Sequence, residues 1–257
     1  MNVLITGGCG FIGSHLAEKF SCEHHEVFII DDMSSGREEN VDVKHTLYKM
    51  AVDDIRCEEA FNDSKPDVVI HLAAQTDASL SVERPYLDTR SNILGLVNIL
   101  ELSAKYRVKK FIFASSAAVY GDNETLPLTE EMPAEPISPY GMSKFTGEFY
   151  CRKWREIYGL DTLSFRLSNV YGPKQGTKGE GGVVSIFIKK MLDGQELTVF
   201  GDGNQTRDFI YVKDIADAFY LGAGSDANGI FNLSTNVESS INELINILKR
   251  YGSVKHT

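Results

Sequence analysis

The chain has 257 residues, 42% of them hydrophobic, and a formal net charge of −10. That length buries one large core, or one core with a small appendage. Its lysines and arginines are scattered, which excludes a non-specific nucleic-acid binder, because phosphate neutralisation needs a clustered basic face. Cys9, Cys22, Cys57 and Cys151 are dispersed without a C-x-x-C pair, so neither a disulfide framework nor a metal site is expected. The sequence opens directly into a strand pattern and holds no apolar run long enough to span a bilayer, so a cytoplasmic protein with no membrane partner is expected.

The first element, Asn2 to Thr6, is a short apolar run bounded by glycine and reads as a buried strand. Gly7, Gly10 and Gly13 follow at the spacing G-x-x-G-x-x-G, and Phe11 onward reads as a helix. A strand, a glycine turn and a helix in that order make a phosphate site. The helix N-terminus carries unpaired N–H groups and the positive end of the helix dipole, and glycine lets a pyrophosphate approach the backbone. Glu26 to Asp32 is a second strand ending in two acids, with Asp31 lying 18 residues after Gly13. An acid there accepts hydrogen bonds from an adenosine ribose and repels a 2′-phosphate, which favours NAD over NADP. Met33 to Gly36 supplies turn residues.

A strand-like stretch around Tyr48 to Val52 leads to Asp53-Asp54-Ile55 and a helix over Cys57 to Asn62. Asp67 to Leu72 reads as a buried strand running into Ala73-Ala74-Gln75, small residues against which a ligand can lie. His71 on that strand is expected to be a packed, hydrogen-bonded histidine. Pro85 to Tyr106 is helical, and Lys109 to Ala114 is a strand leading to Ser115-Ser116. Asp122 to Ser138 is polar and proline-rich and reads as a loop over the site. A helix from Pro139 to about Tyr158 and a strand from Thr162 to Leu167 follow. Beyond a flexible loop at 174–182, helices are expected at Val183 to Leu192, Asp214 to Ala223 and Ile241 to Tyr251. Strands are expected at Glu196 to Phe200 and Ile230 to Leu233, with a polar turn at Gly201 to Asp208 before Phe209 to Val212. Alternating strands and helices predict a Rossmann-type α/β fold, a doubly wound and mostly parallel sheet.

Tyr140 and Lys144 are four apart at a helix start and share one face. A nearby ammonium favours the phenolate, so such a pair can take a proton from a substrate hydroxyl at neutral pH. Ser116, at the end of the preceding strand, can hydrogen-bond the same oxygen.

The stretches TGGCGFIGSH, IIDDMSSG, DDI, HLAAQ, SNILG, FASSAAVYG, SPYGMSK, SNVYGP and GDGNQTRDFIYVKD together resemble the extended short-chain dehydrogenase/reductases that act on nucleotide sugars. The resemblance runs from Met1 to about Tyr251, and within that family the chain is most similar to the NAD-dependent 4-epimerases. Ala117 and Ala118 stand where the dehydratases carry an acid pair and the decarboxylases an acid, a departure that argues against those reactions. The resemblance therefore implies C4 epimerisation of a sugar of the UDP-glucose/UDP-galactose type through a transient 4-keto sugar. A net oxidoreductase or dehydratase of the same family, and a non-enzymatic NAD-binding protein with an incomplete substrate site, remain alternatives.

Carried over by position, the catalytic residues are Ser116, Tyr140 and Lys144. The cofactor contacts are Gly7, Gly10, Phe11, Ile12, Gly13, Asp31, Asp32, Ser34, Ser35, Gly36, Asp54, Ile55, Leu72, Ala73, Ala74, Gln75, Asn92, Tyr140, Lys144 and Ser168. The UDP-sugar contacts are Ser116, Tyr140, Asn169, Val184, Thr198, Phe200 and Arg207, the last as a bidentate phosphate clamp. The implied organisation is an NAD-binding domain over 1–168 and an interleaved nucleotide-sugar region over 169–257. Family members continue beyond the equivalent of Tyr251, so that region is expected to be truncated. The family also implies a homodimer through a four-helix bundle, formed by the helix near Ile93 to Leu102 and the helix after Lys144.

Overall fold

The computed structural model describes residues 1–177 and 181–252; the part of the expected 174–182 loop at 178–180 lies outside the described residues. The chain begins with β1 (Asn2–Thr6), α1 (Phe11–Cys22), β2 (Glu26–Asp31) and β3 (Thr46–Lys49). It continues through α2 (Cys57–Ser64), β4 (Val68–His71), α3 (Ala78–Glu83), α4 (Pro85–Thr89) and α5 (Gly95–Lys105). Next come β5 (Lys110–Ser116), α6 (Pro139–Tyr158), β6 (Thr162–Leu167), β7 (Asn169–Tyr171) and α7 (Val183–Leu192). The last elements are β8 (Thr206–Arg207), β9 (Phe209–Tyr211), α8 (Val212–Ala223), β10 (Gly229–Leu233), β11 (Ser239–Ser240) and α9 (Ile241–Leu248).

Seven strands form one sheet in the order β10-β6-β5-β4-β1-β2-β3, with every neighbouring pair parallel. All four residues of β4 and all six of β6 are buried, as a sheet covered on both faces requires, and His71, Thr162 and Arg166 among them are hydrogen-bonded inside the protein. Leu16 and Phe20 of α1 pack with Ile215 and Phe219 of α8 on one face. Phe61 of α2, Leu96 and Leu100 of α5 and Cys151 of α6 cover the other. The strand order reverses between β1 and β4, one half of the sheet being built outward from each, so a crevice opens at the carboxyl ends of these strands, where sheets of this topology bind ligands. Phe187, Leu197, Ile241, Ile245 and Leu248 form a separate small core under α7 and α9.

α6 starts where Ser138 accepts the Gly141 N–H at 3.2 Å, with Pro139 in the first turn. It stops at Gly159, whose φ of 71° is the left-handed geometry of a helix end.

Four expectations are corrected. The strand around Tyr48 to Val52 lies earlier, at Thr46–Lys49, because its register is set by pairing with β2. Glu196 to Phe200 forms no strand; Leu197 is fully buried in the small core, and its neighbours have no continuous ladder. Ala78–Glu83 and Asn169–Tyr171 are additional short elements. The polar 122–138 segment does not line the site. It covers the edge of β10 instead, where Glu130 accepts the Asn232 N–H at 2.7 Å and the Leu128 carbonyl accepts Asn232 Nδ2 at 3.0 Å. An unpaired edge donor needs such a partner.

Candidate active site

The glycine turn is shaped by close approaches. Gly7 has a φ of 71°, and a Cβ there would lie 2.8 Å from the Ala73 nitrogen. A Cβ on Gly13 would lie 2.2 Å from the Gly7 carbonyl oxygen. Gly10 caps α1 without a side chain, so the first N–H groups of the helix face the crevice. Cys9 inside this turn is fully buried, and burial, reinforced by the Asp31 charge, pushes its thiol up to about 12. It is a packing residue, not a nucleophile.

Asp31 is 6% exposed. Its two carboxylate oxygens accept the Cys9 N–H at 2.9 Å and the Met33 N–H at 2.8 Å. Burial raises its pKa, and those two backbone bonds oppose the rise. The carboxylate is thereby fixed at the rim of the glycine turn, where it lines the crevice.

A cavity of about 710 Å³ runs from this turn across the strand ends. Ser116, Tyr140 and Lys144 line its far wall. The Lys144 Nζ is buried, donates to the Ala114 carbonyl at 2.8 Å and lies 5.8 Å from the centre of the Tyr140 ring. Ser116 Oγ accepts the Ala118 N–H at 3.1 Å. The Tyr140 N–H donates to Ser81 Oγ at 3.1 Å, which ties the start of α6 to α3. His71 sits behind this wall, 1% exposed, its Nδ1 2.9 Å from Thr6 Oγ1. Burial, with a smaller contribution from the Lys144 charge, lowers its pKa to about 3, so it is a neutral packing residue rather than an acid or base.

The cavity collects Gly7, Gly10, Phe11, Ile12, Gly13, Asp31, Asp32, Ser34 and Ser35, together with Leu72 to Gln75, Ser168, Asn169 and Val184. Four expected cofactor contacts lie outside its lining. Gly36 packs behind the turn, where a Cβ would lie 2.8 Å from the Cys9 carbonyl carbon. Asp54 is turned onto Arg56, with its Oδ2 2.6 Å from Nη2, and Ile55 is 84% exposed. Asp53 lines the cavity in their place and accepts Arg90 Nε at 2.5 Å. Asn92 is 3% exposed and consumed by protein: it accepts the Gln75 N–H at 2.7 Å and donates to the Gln75 carbonyl, Asp88 and Ser143. A one-turn π-helix at Arg90–Leu94 places it there.

A second cavity of about 430 Å³ adjoins the first, sharing Asn169 and Val183. It holds the expected Thr198, Phe200 and Arg207, and adds Lys190 and Gln205, which sequence reasoning missed. Lys190 Nζ donates to Thr198 Oγ1 at 3.0 Å, and no acidic residue is among the described lining. In a chain of net charge −10, two cations around one acid-free pocket suit an anion.

Residues 3–234 match the sequence profile of Epimerase, the NAD dependent epimerase/dehydratase family. The chain belongs to that family. A UDP-glucose 4-epimerase of Mycolicibacterium smegmatis is 39% identical over 251 residues, spanning 95% of this chain and 80% of that protein. The Thermotoga maritima UDP-glucose 4-epimerase solved with UDP-glucose is similar over the whole chain and 85% of its own, with 39% identity and a TM-score of 0.95. The UDP-N-acetylglucosamine 4-epimerase of Methanobrevibacter ruminantium, solved with UDP-N-acetylmuramic acid, is similar over the whole chain and 88% of its own, with 37% identity and a TM-score of 0.93.

NAD is the cofactor of this epimerase/dehydratase family, and the residues present fit it. The glycine turn lines the cavity and is closed so tightly on its own backbone that Gly7 and Gly13 leave no room for a Cβ, the α1 N-terminus suits the pyrophosphate, and Asp31 suits an unphosphorylated ribose. Among the described residues no cluster of His, Cys, Asp and Glu could hold a metal ion, and no helix is long and apolar enough to cross a membrane.

Proposed function

We propose that this protein epimerises the C4 centre of a UDP-hexose of the glucose/galactose type. The observation that carries the reading is the shared cavity: Ser116, Tyr140 and Lys144 face the same space as the glycine turn, and an acid-free pocket opens beside them. The chemistry NAD supplies when bound is reversible acceptance of a hydride from the sugar C4. The chain's own residues do the rest. Lys144, desolvated beside the Tyr140 ring, favours the phenolate, which takes the proton of the 4-hydroxyl. Ser116 hydrogen-bonds that oxygen as it becomes a ketone. The 4-keto sugar turns over within the site, and Tyr140 returns the proton on the other side. Asn169 and Val184 lie beside the sugar, while Thr198, Phe200 and Arg207, joined by Lys190, hold the nucleotide diphosphate.

Ala117 and Ala118 follow Ser116 and carry no group able to transfer a proton, which supports epimerisation over loss of water or carbon dioxide. The assignment places NAD binding in residues 1–168 and nucleotide-sugar binding in 169–257, with β10 and α8 interleaved into the main sheet layers. A reducing, cytoplasmic setting is supported by four free cysteines. The proposed assembly is a homodimer: Met142, Phe145 and Phe149 recur at helical spacing on α6 and are 56%, 42% and 50% exposed.

The experiment is conversion of UDP-galactose by the purified protein, followed by chromatographic separation of the UDP-hexoses. UDP-glucose should form, and Tyr140→Phe should lower kcat per NAD-loaded site by about 100-fold or more. Undiminished turnover in Tyr140→Phe would remove the tyrosine from the role assigned to it.

A further inference from the structure

Ser115, at the cavity lining, joins Glu148 and Arg166 in a buried cluster under the reacting wall; the three are 3%, 2% and 4% exposed, and Arg166 Nη1 is left without a hydrogen-bond partner. Ser115 and Arg166 are directly opposed on β5 and β6. Glu148 descends on both from α6, about one turn past Lys144. Its Oε1 accepts Arg166 Nε at 2.9 Å and its Oε2 accepts Nη2 at 2.8 Å. Oε1 also accepts the Ser115 hydroxyl at 2.5 Å. On its other side Arg166 is backed by the Tyr120 ring, 4.7 Å from Cζ, and the Tyr120 hydroxyl donates to Asn232 on the edge strand.

Stability alone does not explain this arrangement. Burying two ions carries a desolvation penalty of several kcal/mol each, and apolar residues of similar volume often hold a fold as well or better. The location does explain it. α6 grips the end of β5 at two successive residues: Lys144 Nζ takes the Ala114 carbonyl, and Glu148 takes the Ser115 side chain. The residue after them is Ser116. We infer that Glu148 and Arg166 are positioning residues, which lock the carboxyl end of β5 onto α6 and so set Ser116 against Tyr140 and Lys144. The inference rests on the roles proposed above for those three. A displacement of about 1 Å at such a site costs on the order of 100-fold in rate.

The test uses the full chain loaded with NAD, UDP-galactose as substrate, and two kinds of variant. Glu148→Met combined with Arg166→Met removes both buried charges, so no lone ion is left to unfold the protein. Ser115→Ala cuts only the grip on β5, and Ser115→Thr keeps the hydroxyl. Circular dichroism and bound NAD count the folded, loaded sites. Per such site, kcat is expected to fall about 100-fold in the double variant and about tenfold in Ser115→Ala, with KM within about twofold. Ser115→Thr should recover most of the loss. A purely structural role would lower the melting temperature while kcat per folded site stayed level, and that result overturns the inference, as does a Ser115→Thr variant no better than Ser115→Ala. A wild-type protein that turns over no UDP-hexose overturns the site reading and this inference together, whereas variants that match an active wild type overturn the inference alone.

Discussion

His71 shows how burial decides what a residue can do. Thr6 Oγ1 accepts the Ala73 N–H at 3.3 Å, which leaves the hydroxyl proton for His71 Nδ1 at 2.9 Å. The ring is also stacked against Phe111 and Phe113, with centroids at 6.0 and 6.1 Å. Its folded pKa of about 3 lies below the ordinary value of 6.5. Between those values the unfolded chain takes up a proton that the folded chain refuses. The contribution is therefore intact above the unfolded pKa and is lost as pH falls below it, by up to about 1.4 kcal/mol per pH unit for one proton. His71→Gln keeps an acceptor for Thr6 and removes the titration. Urea unfolding at pH 7 and pH 5 should show wild type losing about 2 kcal/mol more than His71→Gln over that interval. Equal losses in the two proteins would mean that His71 protonates freely in the fold.

At the scale of elements, the glycine turn makes the sharpest demand. Gly13→Ala sets a methyl 2.2 Å from a backbone oxygen, so the turn and the start of α1 must move. The purified variant should lose most of its bound NAD, read by ultraviolet absorbance after denaturation; full occupancy would show that the turn yields without cost to the cofactor. This turn, Asp31, Tyr140 and Lys144 were all legible in the sequence, because each depends on local spacing: strand then glycines, strand then acid, four residues on a helix. Asp53 was not legible. It and Asp54 are adjacent acids, and only the turn closed by the Asp54 N–H on the Ala51 carbonyl at 3.1 Å sends one to the cavity and the other to Arg56. Ser115 and Lys190 are placed by partners far along the chain, Glu148 and the pocket around Arg207. The alternation in Leu197-Thr198-Val199-Phe200 looks like a strand, yet pairing needs a neighbour, and there Leu197 packs instead into the core with Ile241 and Ile245. Asn92 likewise owes its place to distant partners, its side chain meeting Gln75 and Ser143 as well as nearby Asp88.

For the whole molecule, two surfaces carry the proposed partners. The exposed Met142, Phe145 and Phe149 of α6 are joined by Leu94, 54% exposed, at the end of the π-helical turn, an apolar face suited to its own copy. Phe145→Asp with Phe149→Asp should halve the mass seen in sedimentation, while a wild-type protein that already runs as a monomer would remove the dimer. The other surface is the joined pair of cavities, and the central claim is that one site takes the C4 hydrogen from a UDP-hexose and gives it back. The most direct test uses UDP-galactose carrying deuterium at C4, with no added NAD. The account predicts UDP-glucose that retains the deuterium at C4. Unlabelled UDP-glucose, a dehydrated or oxidised UDP-sugar, or no product at all would contradict it.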